Sequence, residues 1–94
     1  MPINALREEI DGIDKKIINL IARRQEMAGK MAREKLDRGI PIHDEPRTKQ
    51  VLAAAFNYAV EEKINPIPVQ RIFEILIEMS EERQRECTGD GNLP

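Results

Sequence analysis

Leu20-Ile21-Ala22-Arg23-Arg24-Gln25-Glu26-Met27-Ala28 decides how this chain is read, because it interrupts the apolar stripe of a long helical pattern with an arginine. Followed in both directions, the stripe runs Leu6, Ile10, Ile13, Ile17, Leu20, Arg24, Met27, Met31, alternating steps of four and three, the period of one helix face. Arg24 stands where Leu or Ile belongs. A guanidinium is rarely buried without a partner, so either the helix is wet at this point or an anion binds there.

Outward from Arg24 the pattern predicts one helix from about Ala5 to Asp37, with Asn4 as its N-cap and no proline until Pro41. Gly12 and Gly29 each cost about 1 kcal/mol relative to Ala without having to break a packed helix. Such a helix is about 50 Å long, more than a compact monomer with a radius of gyration of about 12 Å can cover. A second chain is the simplest source of cover. The alternative is a break, for which Gly29 is the natural place.

Gly39 suits the left-handed position after this helix, with Arg38 near its negative end and Pro41 preventing continuation. The Ile40-Pro41-Ile42-His43 stretch is extended, and Asp44 caps a second helix with Pro46 in its first turn. Helix two carries Val51, Leu52, Ala55, Phe56, Ala59 and Val60 on one side and ends near Lys63. Asn65-Pro66-Ile67-Pro68 punctuates the chain, and Pro68 starts helix three. Its stripe of Val69, Ile72, Phe73, Leu76 and Ile77 continues at the same spacing into Ser80 and Gln84. The fold class is all-α, with one domain over residues 1–87 and a flexible tail over 88–94.

Composition narrows the function. The 15 basic and 17 acidic residues are interspersed at a net charge of -2, and the aromatics number three, which argues against a nucleic-acid surface. One cysteine, Cys87, and one histidine, His43, exclude a disulfide framework and make a Cys/His metal centre improbable. The N-terminus has no signal-peptide pattern and no apolar run is long enough to span a bilayer, so a cytoplasmic protein without membrane attachment is expected.

Three further cations bear on Arg24. Lys35 lies eleven residues on, within about 20° of it round the helix and about 16 Å along it, so both reach toward one site. Arg47 sits in the first turn of helix two, where free N–H groups already favour an anion. Arg7, seventeen residues before Arg24, is about 25 Å away and cannot serve the same small site of its own chain, although in an antiparallel pair of long helices it reaches the partner's. These four are either solvated charges paired with the acidic residues or, with Ser80 and Gln84, the lining of a pocket for a small dianion. Such a pocket has no evident nucleophile, histidine base or metal cluster.

The ordered set Leu6-Arg7-Glu8-Glu9-Ile10-Asp11, Leu20 to Arg24, Lys35, Gly39 to Asp44 with Arg47, and Ile72 to Ser80 with Gln84 resembles the all-helical class of chorismate mutases, over roughly residues 3 to 86. That resemblance implies an intertwined helical-bundle homodimer with two sites, converting chorismate to prephenate in phenylalanine and tyrosine synthesis with no cofactor. It implies that Arg24 and Arg7 of the partner chain hold the side-chain carboxylate and that Arg47 and Ser80 attend the ring carboxylate. Lys35 and Gln84 would flank the ether oxygen, forming with Arg24 the catalytic group, and the backbone N–H of Asp44 would meet the hydroxyl. Thr48 departs from the family, which commonly has a Glu binding that hydroxyl there; Thr keeps only hydrogen bonding. Two other readings stand beside this one: an isochorismate pyruvate-lyase on the same scaffold, and a non-catalytic helical dimerisation or metabolite-binding module.

Overall fold

Prolines and left-handed turns set the boundaries of every helix. In the computed structural model, which describes residues 2–89, the elements are α1 (Ile3–Arg38), α2 (Glu45–Glu61) and α3 (Pro66–Thr88). α1 is unbroken through Gly29, so the alternative of a break there does not occur. A β-carbon at Gly29 would lie 3.4 Å from Cys87 Sγ, so the glycine stands where α3 passes alongside α1. Asn4 is not the cap of α1. The carbonyl of Pro2 accepts from the N–H groups of Ala5 and Leu6 at 3.1 and 3.3 Å, so the helix begins two residues earlier, at Ile3, without a side-chain cap.

α2 opens as expected, with the Asp44 side chain accepting from the Arg47 N–H at 3.2 Å and Pro46 in the first turn. Its end comes at Glu61, before Lys63, because Lys63 itself takes the left-handed conformation at φ 60°. There the N–H of Lys63 bonds the Val60 carbonyl and that of Ile64 the Ala59 carbonyl, a Schellman closure built without glycine. The same closure ends α1, where Gly39 at φ 68° carries it at no steric cost. Helix three starts at Pro66, not Pro68. Asn65 Oδ1 accepts from Ile67 N at 3.1 Å, and both prolines occupy first-turn positions that need no intrahelical donor. α3 runs through Thr88, whose hydroxyl donates back toward the Gln84 carbonyl at 3.2 Å, and Gly89 follows in a left-handed turn. The rest of the expected tail, 90–94, lies outside the described residues.

α3 packs against α1 on one side and α2 on the other, while α1 and α2 do not pack on each other. Among the described residues the buried apolar ones are all alanines, Ala28 and Ala32 of α1 and Ala55 and Ala59 of α2. Leu6, Ile10, Ile13, Ile17, Leu20, Met27 and Met31, read from the sequence as a buried face, are 42 to 60% exposed in the isolated chain. The shape agrees: a radius of gyration of 16.5 Å and a long axis of 54 Å describe a rod with a side arm. Its accessible surface of 7617 Å² exceeds by about 2,000 Å² the value expected for a compact chain of this mass. Among the described residues no helix is long and apolar enough to cross a membrane.

The two Schellman closures give a matched prediction. Lys63→Gly removes the strain of a left-handed lysine and raises stability by about 0.5 to 1 kcal/mol, whereas Gly39→Ala lowers it by about 1 kcal/mol. Urea unfolding at fixed protein concentration, read as a change in midpoint at constant slope, checks both.

Candidate active site

Because α1 and α2 both lean on α3 without touching, a cavity of about 450 Å³ opens between the C-terminal half of α1, the start of α2 and the C-terminal half of α3. Arg24 and Lys35 enter it from α1, Asp44, Arg47 and Thr48 from the start of α2, and Ser80, Glu81 and Gln84 from α3. Met27, Met31, Ile42, Val51 and Ile77 supply the apolar part. Seven of the eight residues predicted from the sequence therefore meet in one place. The eighth, Arg7, lies near the far end of α1, exposed and away from this cavity.

Arg24 is half-buried, and its Nη1 donates to the Leu76 carbonyl of α3 at 3.2 Å, one turn before Ser80. Desolvation, and secondarily the positive charge of Arg47, lower its pKa from the ordinary arginine value. Among the described residues the ion pairs are Arg38 with Glu34, His43 with Glu45 and with Glu81, and Arg83 with Glu86, so Arg24, Lys35 and Arg47 enter none. A cation half removed from water and facing another cation is unfavourable until an anion joins them. The arginine that interrupts the stripe thus stands at the wall of a cavity with other cations and without an ion-pair partner among the described residues.

Lys35 Nζ donates to the Ile42 carbonyl at 2.6 Å, tying the α1–α2 loop over the cavity while two more donors remain for a ligand. Gln84 is buried at 4% exposure; its Nε2 donates to Ser80 Oγ at 3.0 Å, and its Oε1 has no hydrogen-bond partner. An unsatisfied buried oxygen costs about 1 to 3 kcal/mol. Turning the amide over, which changes its shape very little, lets the Ser80 hydroxyl donate to Oε1 and places the N–H₂ where the orphan oxygen was, as a donor for a ligand oxygen.

Two residues were not legible as site residues. Glu81 follows Ser80 on α3 and lines the cavity with its side chain only 18% exposed. Its Oε1 lies 2.8 Å from Nδ1 of His43, whose Nε2 lies 2.9 Å from Glu45 Oε2. Glu81 has a weak sequence signal, its place beside the polar end of the α3 stripe. The contact with His43 has none, because it forms only when the loop docks on α3. Among the described residues no group of three His, Cys, Asp or Glu is arranged to hold a metal.

Hydrogen bonds to Glu45, then to Glu81, raise the His43 pKa above 6.5, so the folded state holds its proton more tightly than the unfolded chain. The resulting stability is complete below about pH 6.5 and disappears as pH rises through the raised value. Wild type is therefore more stable than His43→Gln at about pH 6, and the two converge near pH 9. Thermal melts across that range measure the difference.

A sequence model of the family described as chorismate mutase type II matches residues 6–85. The chain is 36% identical over 81 residues to a chorismate mutase of Methanocaldococcus jannaschii, covering 86% of this chain and 82% of that protein. It is 32% identical over 93 residues to a bifunctional chorismate mutase/prephenate dehydratase of Buchnera aphidicola subsp. Schizaphis graminum, covering 95% of this chain but 24% of that one, so it spans about a quarter of the larger protein's length. A solved structure of a conserved hypothetical protein from Pyrococcus furiosus superimposes with a TM-score of 0.73 at 34% identity, over 88% of this chain and 95% of that one. With its helices, its cationic cavity and a match running almost from end to end, this chain belongs to the chorismate mutase type II family.

Proposed function

We propose that this chain rearranges chorismate to prephenate, working as an intertwined homodimer in which each cavity is completed by Arg7 of the partner chain. The observation that carries the reading is the convergence of three cations outside any ion pair with a buried Gln84–Ser80 pair on one cavity of ligand size. Chorismate is a small dianion. Its rearrangement breaks a C–O bond as a C–C bond forms, moves no proton and needs no covalent intermediate, which suits a site made of donors.

Arg24, with the partner chain's Arg7, clamps the side-chain carboxylate, and Arg47 takes the ring carboxylate beside Ser80, whose one O–H proton holds the turned Gln84 amide in place. Guanidinium forks match carboxylates in a bidentate way, and together they select a folded conformer with the reacting carbons in contact. As the C–O bond lengthens, the ether oxygen gains negative charge. The remaining donors of Lys35 and the turned amide of Gln84 stabilise that oxygen more in the transition state than in the ground state. The backbone N–H of Asp44 and the Thr48 hydroxyl lie on the side of the substrate hydroxyl.

The exposed apolar stripe of α1 and the surplus surface support the dimer. Covering about 2,000 Å² on each of two chains falls in the range of obligate interfaces. A second groove of about 450 Å³ beside Arg24 and Arg47, lined by Val51, Ala54, Ala55, Tyr58, Val69 and Phe73, is the place for the partner's α1, which brings Arg7 toward Arg24. The aqueous, cytoplasmic setting expected from the sequence goes with a small water-soluble substrate.

Purified protein given chorismate yields prephenate, and Lys35→Ala or Gln84→Ala lowers kcat on the order of 10² to 10³-fold with the dimer intact by sedimentation. Salicylate and pyruvate from isochorismate, without prephenate from chorismate, would overturn the assignment. Arg24→Met loses activity to a similar degree while gaining about 1 kcal/mol of stability, since it removes an uncompensated cation. Mixing inactive Arg7→Ala with inactive Arg24→Ala restores about a quarter of wild-type activity, because half of the dimers are mixed and each mixed dimer holds one intact site. No recovery on mixing refutes the shared site.

A further inference from the structure

We propose that Glu81, held in place by His43, reads the substrate hydroxyl in this chain. The inference rests on the mutase reading above and deepens it.

The cavity asks for a dianion, yet Glu81 puts a carboxylate into its wall. A carboxylate facing a dianion is repulsive unless the ligand turns a hydrogen-bond donor toward it. Chorismate has one such donor, the ring hydroxyl. Of the cavity's side chains, Arg24, Lys35 and Arg47 only donate, and Ser80 and Gln84 bond each other. Asp44 and Glu81 are the two pure acceptors, each with one oxygen engaged, Asp44 Oδ1 by the Arg47 N–H and Glu81 Oε1 by His43; the Asp44 carboxylate already serves as the cap of α2, whereas that of Glu81 caps no helix. Glu81 gives Oε1 to His43 at 2.8 Å, and among the described residues no hydrogen bond or ion pair engages its Oε2. His43 in turn is braced by Glu45 at 2.9 Å, so the carboxylate is held by the loop and not left free to turn toward Arg24 or Arg47.

The hydroxyl then accepts from the Asp44 N–H and donates to Glu81. Thr48 offers this side of the cavity a hydroxyl and no carboxylate, and Glu81 supplies one from α3. The same charge repels the two substrate carboxylates and so helps fix which way round the ring binds.

The test compares chorismate with its analogue in which hydrogen replaces the ring hydroxyl, as the ratio of kcat/KM values. Wild type prefers chorismate, and Glu81→Ala lowers that preference about 10- to 100-fold by slowing chorismate while changing the analogue less than about 2-fold. Glu81→Gln, which keeps the shape and can still bond His43, shows a smaller loss with unchanged circular dichroism and guards against a folding defect. His43→Ala lowers the preference about 3- to 10-fold, and His43→Gln restores it by keeping a donor. The proposal is overturned if Glu81→Ala slows both substrates equally or neither, or if Thr48→Val removes the preference in its place. An unchanged preference in His43→Ala overturns the positioning role. Wild type that turns over neither substrate overturns the functional reading, and this proposal with it; active wild type with an indifferent Glu81 overturns the proposal alone.

Discussion

Four alanines fix the geometry on which everything else depends. Ala28 and Ala32 let α1 come close to α3, and Ala55 and Ala59 do the same for α2, while the two flanking helices never meet. Larger residues at those points would move either helix outward by the size of a side chain. The donors on α1, α2 and α3 would then no longer face one volume. A close approach achieved with small residues buries little apolar surface, however, and four alanines are a meagre core for a 94-residue chain. The architecture accepts a weak core within the chain and leaves large apolar side chains exposed along α1, the face that the proposed dimer would cover.

The site is likewise unfavourable when empty. Arg24 gives up part of its hydration and has Arg47 for a neighbour, and the buried Gln84 amide has one end without a partner among the described residues, whichever way round it sits. None of this helps the chain fold, and hydrophobic residues at those positions would do so better. Polar groups already desolvated and held in place need no reorganisation when a charged ligand arrives, which is what electrostatic stabilisation of a developing charge requires. The local sequence rule broken at Arg24 marks the wall of the cavity, where on the proposed function stability is given up for binding.

Much of this could be read in the sequence because helix period and charge position are local properties. The stripe located all three helices, Asp44 was a legible cap, and the eleven-residue step from Arg24 to Lys35 put both into one cavity. The errors arose where a non-local or atypical device won. Pro2 started α1 by its carbonyl alone, Asn65 pulled the start of α3 forward, and Lys63 took a conformation that usually signals glycine. The seven apolar residues of α1 were correctly seen as one face, but periodicity says only that a face is apolar and not whose surface covers it. His43 and Glu81 escaped because they are 38 positions apart and meet only after docking.

The end of α3 bears on how steady the site is in time. Gln84 lies one turn from Thr88, and the Thr88 hydroxyl bonds both the Gln84 and the Arg85 carbonyls at 3.2 Å. Terminal helical turns open and close far faster than a bundle unfolds. A donor this near a helix end is therefore in place only for as long as its turn stays closed, and the threonine latch lengthens that time. The fraction of encounters that find the amide ready is set by this local opening equilibrium as well as by the stability of the whole fold.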